Sequence, residues 1–181
     1  MHGEPEELLA QFIAETRARG DGIAWVNLDR MHVTLRFLGD AIEPGWLADL
    51  TELLAAIAST TAPFRVCARA AGAFPNLRRP RVIWAGLESA ALEQLSLRVE
   101  QAACAAGFPR ERRVWSPHLT LGRVRDPRLA HAAARAIAAA SRREFGSSSI
   151  SSMQLYRSRP NSAGSVYEVL RTFEFTAPRV H

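Results

Sequence analysis

Two short patterns in this chain carry side chains that can move protons. His32-Val33-Thr34-Leu35 recurs in the second half as His118-Leu119-Thr120-Leu121, and each copy is followed at the same distance by an aspartate, Asp40 or Asp126, and then by a helical stretch. On an extended segment residues two apart share a face, so each motif offers one imidazole and one hydroxyl while the intervening apolar residues turn the other way. Histidine's ordinary pKa of about 6.5 lets one imidazole be neutral and another protonated near neutral pH. Placed on opposite sides of a phosphorus centre, two such groups form the base and the acid of an in-line displacement. Thr34 and Thr120 can donate hydrogen bonds to the non-bridging oxygens, and Arg123 or Arg36 can offset the charge that accumulates there. One His-x-Thr-x pattern arises often by chance; its recurrence in a matched context gives it weight. Neither copy brings a carboxylate or a second histidine at metal-ligand spacing, and the chemistry calls for no metal or other cofactor. His2, His131 and His181 fall outside any such pattern.

The elements that must hold these motifs can be read from hydrophobic periodicity. Residues 6–19 place Leu8, Leu9, Phe12 and Ile13 on one helical face, and Ile23 to Val26 is a short strand. His32 to Leu38 alternates, with Val33, Leu35 and Phe37 on the inward side, and reads as a second strand. A helix with Pro44 in its first turn carries Trp46, Leu47, Leu50, Leu53, Leu54 and Ile57. Phe64 to Ala70 and Val82 to Leu87 are strands joined by a proline-bounded basic loop containing Arg78, Arg79 and Arg81. A third helix spans Leu92 to Ala106 and is capped by Gly107. His118 to Val124 is a strand, and Asp126-Pro127 opens a helix that runs to Ala140. Ser149 to Arg157 and Ser165 to Phe175 form a long hairpin. The duplication predicts an α+β fold with bilobal pseudo-two-fold symmetry, two antiparallel sheets carrying helices on their outer faces, and a central cleft between the paired motifs. The whole span 1–181 is expected to form one such bilobal domain.

Composition narrows the class. In 181 residues, 48% are hydrophobic and 23% charged, the ordinary balance for a packed domain. No window holds the ~18 uninterrupted apolar residues of a spanning helix, and the first residues are acidic, so a soluble, cytoplasmic protein is expected, without membrane association and monomeric. Cys67 and Cys104 are widely separated and read as reduced thiols. The 23 basic residues against 18 acidic ones give a net charge of +5, and all 23 are arginine. Guanidinium groups suit phosphate, which makes an anionic substrate plausible without identifying it.

At these residues the sequence resembles the 2H phosphoesterase superfamily, and within it the RNA 2',3'-cyclic phosphodiesterases, also described as 2'-5' RNA ligase-like. The resemblance rests on Trp25, His32 to Gly39, Phe74-Pro75 with Arg79 to Trp84, Ser116 to Arg123, and Tyr167 to Leu170 in the final hairpin. It implies an enzyme that opens a 2',3'-cyclic phosphate at an RNA 3' end to leave a 2'-phosphate, with 2'-5' ligation as the reverse. By resemblance His32 is the proton donor and His118 the proton acceptor, although the pseudo-symmetry makes the swapped roles physically reasonable. The partners implied are RNA 3' ends or nucleotide 2',3'-cyclic phosphates. Arg123 and Arg81 would bind substrate, and Phe74 or Trp84 could stack on a terminal base. Strict alternation puts Arg123 on the face opposite His118, so its role rests on the resemblance and on local twist. The family's short apolar first strand has no counterpart in residues 1–7: either the start site is assigned late, or the lobe manages with one strand fewer and exposes an edge that another chain could pair with. Two other readings use the same pocket: a nucleotide-binding module without turnover, and a phosphodiesterase for small cyclic nucleotides.

Overall fold

A computed structural model describes residues 4–17, 21–40, 42–43, 45–126, 128–161 and 164–177. Pro44, Pro127, the tip of the last hairpin, the end of the first predicted helix, His2 and His181 lie outside them. The elements in chain order are α1 (Glu4–Thr16), β1 (Ile23–Trp25), α2 (Trp46–Ser59), β2 (Phe64–Phe74), β3 (Val82–Glu88), α3 (Ala90–Ala105), β4 (His118–Val124), α4 (His131–Ala139), β5 (Glu144–Ile150), β6 (Ser152–Asn161) and β7 (Gly164–Glu174). No helix among the described residues is long and apolar enough to cross a membrane.

The chain divides into two compact units, each assembled from three stretches. Met1–Leu35, Arg65–Gln94 and Arg113–Ser149 form the first. Arg36–Phe64, Leu95–Arg112 and Ile150–His181 form the second.

The first unit is built on a five-stranded sheet in the order β1-β4-β3-β2-β5, in which β1–β4, β4–β3 and β3–β2 are antiparallel. Its core face follows from alternation: Val66, Ala68, Ile83, Ala85, Leu87, Leu119 and Leu121 are all buried, while their strand neighbours other than Gly122 are half-buried or exposed. Leu9 and Phe12 of α1 and Ile137 of α4 are also buried, and Phe12 meets Phe145 of β5 at 5.2 Å between ring centroids. Each such fully buried side chain contributes about 1.5–3 kcal/mol. Arg143 closes this edge, its guanidinium 5.3 Å from the Phe12 ring and its Nη1 2.6 Å from Glu15 Oε2.

In the second unit the β6–β7 hairpin runs from the Ser152↔Glu174 pair to Asn161↔Gly164. Met153, Leu155, Phe173 and Phe175 are buried, as are Leu50, Leu54 and Ile57 of α2. Arg98 caps the end of α2, donating to Ile57 O and to the Thr60 and Thr61 hydroxyls. Gly107 ends α3 at φ +101, a conformation open to glycine, and a Cβ there would lie 2.6 Å from Trp46 Nε1.

Several expectations need correcting. Residues 31–40 form no strand; Val33 and Leu35 are half-buried and Phe37 is 56% exposed. After β1 a short 3-10 turn, Leu28–Arg30, redirects the chain, and the Thr34 carbonyl then accepts a bond from the Trp115 indole, where a strand would use a ladder partner. The sequence repeat predicts one motif per lobe, yet His32–Leu35 and His118–Leu121 both belong to the first unit, because β1, which leads into the first motif, pairs with β4, which carries the second. Asp126 does not cap α4. It closes a local turn by accepting the Arg128 amide at 2.9 Å, and the helix starts only at His131. The strand predicted from Ser149 divides into β5 and β6, which lie in different sheets.

Candidate active site

His118 opens β4 opposite Gly86, and Thr120 sits opposite Trp84. Both share the face away from the core, since Leu119 and Leu121 are buried between and after them. The His118 imidazole places Nδ1 2.7 Å from the carbonyl of Ser116, two residues back. His32 repeats this arrangement, Nδ1 lying 2.9 Å from the carbonyl of Arg30, again two residues back. A carbonyl accepts only, so each Nδ1 carries the hydrogen and proton exchange falls to Nε2. The two motifs therefore differ in secondary structure and agree in how the imidazole is held.

A third residue ties them together. Trp115 Nε1 donates to Thr34 O at 2.9 Å, so a side chain three residues before His118 grips the backbone two residues after His32. Sequence reading passes over Trp115, and its position just before Ser116-Pro117-His118 is the signal that could have found it.

The bulge in β4 settles which face Arg123 occupies. Ile83 pairs with Gly122 while Trp84 pairs with Thr120, so Leu121 is an extra residue. Leu121 and Gly122 both face the core, and alternation resumes with Arg123 exposed on the His118–Thr120 side. Strict alternation gives the opposite answer. A Cβ at Gly122, the second bulge position, would lie 2.8 Å from Ile23 Cγ2, so a larger residue there would push the Ile23 side chain of β1 aside.

The aromatic wall comes from the neighbouring strands. Trp84 lies flat over Gly72, where a Cβ would come within 2.2 Å of its Cζ2, and its ring is 5.4 Å from Phe74. Phe74 in turn meets the His118 ring edge-on at 5.0 Å. Phe74 and His118 stand at opposite ends of their strands in register terms, so this contact requires the sheet to curl with its open face concave. Arg81, exposed, bridges the strand ends through its backbone, donating to Phe74 O at 2.8 Å and accepting from Val124 N at 2.9 Å.

Arg36 belongs to the second unit. Its side chain is 9% exposed in the second unit, where it ion-pairs with Glu100 and Glu111 and donates to the carbonyls of Phe37 and Pro109. The guanidinium is committed to carboxylates there. Among the described residues no group of three or more His, Cys, Asp or Glu is placed to hold a metal ion.

The profile of the 2'-5' RNA ligase superfamily matches residues 5–161. The chain belongs to the 2'-5' RNA ligase superfamily. An RNA 2',3'-cyclic phosphodiesterase from Aeropyrum pernix is 35% identical over 147 residues, covering 80% of this chain and 82% of that protein. A Geobacillus stearothermophilus protein of the same name is 36% identical over 121 residues, which is 66% of this chain and only 38% of that longer relative. Among solved structures, TT0787 of Thermus thermophilus superposes with a TM-score of 0.77 at 28% identity, covering 97% of this chain and 95% of that one. Within the superfamily, this chain has the α+β architecture and curled antiparallel sheet of that structure.

Proposed function

We propose that this chain is a metal-independent RNA 2',3'-cyclic phosphodiesterase, and the observation that carries the proposal is the matched pair of imidazoles, each held through Nδ1 by a carbonyl two residues back and joined through Trp115. In the reaction a water oxygen attacks phosphorus and gives its proton to His118 Nε2. The bond from phosphorus to the 3' oxygen breaks, and that oxygen takes a proton from His32 Nε2, leaving a 2'-phosphate and a 3'-hydroxyl. The two histidines end with protonation states exchanged and are reset by solvent. Thr34 and Thr120 donate to the non-bridging oxygens, and Arg123, turned to this face by the bulge, offsets their charge. Arg81 extends the positive edge, and Phe74 would meet the terminal base. Arg36 is left out because its charge is already neutralised. Run in the same direction with an RNA 5'-hydroxyl in place of water as the nucleophile, the same groups would form a 2'-5' linkage and free the 3'-hydroxyl. The names of the relatives support this reading.

The test is hydrolysis of a short RNA ending in a 2',3'-cyclic phosphate with chelator present, resolving 2'- from 3'-phosphate. The expected product is the 2'-phosphate, lost in both His32→Ala and His118→Ala. A folded protein that binds the RNA end without turning it over would instead be a nucleotide-binding module. Turnover confined to mononucleotides would mark a phosphodiesterase for small cyclic nucleotides.

A further inference from the structure

The loop between β2 and β3 has a construction that catalysis at the cyclic phosphate does not use. Its backbone is fixed: Asn76 Oδ1 accepts the amides of Arg78 and Arg79 at 3.0 and 3.1 Å, Pro80 is buried, and Arg81 N closes the loop on Phe74 O. Its side chains point the other way in character, with Leu77, Arg78, Arg79 and Arg81 all exposed. Some exposed or half-exposed arginines elsewhere are answered by carboxylates: Arg69 by Glu88 and Glu144, Arg143 by Glu15, Arg157 and Arg159 by Glu168. Arg78 and Arg79 form no ion pair among the described residues, and the sequence has no Asp or Glu between Glu52 and Glu88. Both ends of the loop are joined to the site. Phe74, just before it, touches the His118 ring, and Val82, just after it, is the register partner of Arg123.

We infer that the Asn76-to-Arg81 loop is a docking surface for the single-stranded RNA on the 5' side of the reacting nucleotide, an inference that rests on the reading of the His118 face as a cyclic-phosphate site. A 2',3'-cyclic phosphate terminates its strand, so every other phosphate of the substrate lies 5' of it. The first of these falls one nucleotide away from the reacting phosphorus, toward whichever edge of the face carries unneutralised charge. One such edge holds Arg123 and the loop arginines, since Val82 is the register partner of Arg123 and the Arg81 carbonyl accepts from Val124 N. Guanidinium groups on a fixed backbone contact phosphate without reading sequence, so the surface selects for chain length and tolerates any base order. The substrate class is therefore an oligonucleotide in preference to a mononucleotide.

The experiment compares the parent with Arg78→Ala/Arg79→Ala on a hexanucleotide and on a mononucleotide, each ending in a 2',3'-cyclic phosphate. In parallel, binding of the hexanucleotide bearing a 2'-phosphate is followed by fluorescence anisotropy. The double variant is expected to lose about tenfold in kcat/KM on the hexanucleotide, through KM, while the mononucleotide is unchanged. The slope of log affinity against log salt should become shallower by about 1.4, from two single-strand phosphate contacts. Equal loss on both substrates, or unaltered hexanucleotide binding, overturns the inference. A protein that hydrolyses neither substrate but whose hexanucleotide affinity falls in the double variant retains the docking surface and loses the phosphodiesterase reading, so the two failures are separable.

Discussion

The two histidine motifs have nearly the same sequence and are held by different means. Around His118 the backbone is locked into a sheet, with ladder partners on β3 along its length and on β1 at its far end. Around His32 no strand forms, and the segment is held by a turn before it and by the indole of Trp115 after it. Despite this the two imidazoles make the same bond to a carbonyl two residues back. What the pair has in common is therefore the local hydrogen bond that fixes the tautomer, and the strand is one of two ways to support it. The proposed function, with two equivalent proton carriers, would constrain the side chain's immediate partners more tightly than the surrounding secondary structure.

The sharpest way to break this comparison is to remove the carriers. His32→Ala and His118→Ala should each lower turnover by about 10²–10⁴, and the double variant should be scarcely worse than either, because an acid and a base of one step act as a unit. The pH profile of the parent should be bell-shaped and that of each single variant one-sided. Near-normal turnover in either single variant would remove the motif equivalence. A smaller change should separate the two supports: Trp115→Phe deletes only the indole N–H, leaving the His118 ladder intact. It is expected to cost about 1 kcal/mol of stability and to lower kcat about tenfold through a misplaced first motif, with KM little changed. A variant with normal kcat would show that the turn alone positions His32.

Arg36 tests where the first motif stops being part of the site. Arg36→Ala leaves Glu100 and Glu111 without their shared cation and is expected to destabilise the protein by about 2 kcal/mol in urea unfolding, with turnover per folded molecule preserved. A large loss of kcat in fully folded protein would return Arg36 to the phosphate. The smallest effect concerns Glu15, whose carboxyl the Arg143 hydrogen bond holds below the ordinary range. A lowered folded value means that the pair's stabilisation is present above the unfolded pKa of about 4.3 and fades as pH falls through the folded one. Glu15→Gln should thus lower Tm slightly at neutral pH, with the gap to the parent closing in acid; a gap that persists in acid would assign the effect to packing.

Much of this was legible in the sequence, and the gaps have physical causes. The span of β4 and the starts of β1, β2 and β3 follow from alternation bounded by glycine, proline and acidic turns. The motif at His32 reads as a strand because Val33, Leu35 and Phe37 alternate, but periodicity reports side-chain direction and says nothing of whether a neighbouring backbone is present to pair. Strict alternation puts Arg123 on the face opposite His118, whereas the structure turns it to the same face, because a bulge is a two-strand property, set by how β3 and β4 register. Arg36 fits a phosphate role by spacing alone; its carboxylate partners come from residues far along the chain, which local pattern cannot bring together.

The interleaving of the two units has a consequence for how the molecule comes into being. Because the chain passes back and forth between them, the first unit lacks a strand or helix until the stretch ending at Ser149 has left the ribosome, and the second lacks its hairpin until Ser152 to Glu174 has followed. The first unit is complete only shortly before the second, so the two do not mature as well-separated successive domains on one chain do. Assembly depends on contacts between distant parts of the sequence, which places this protein among slower folders for its size and leaves β1 and the His32 segment unpartnered through most of synthesis.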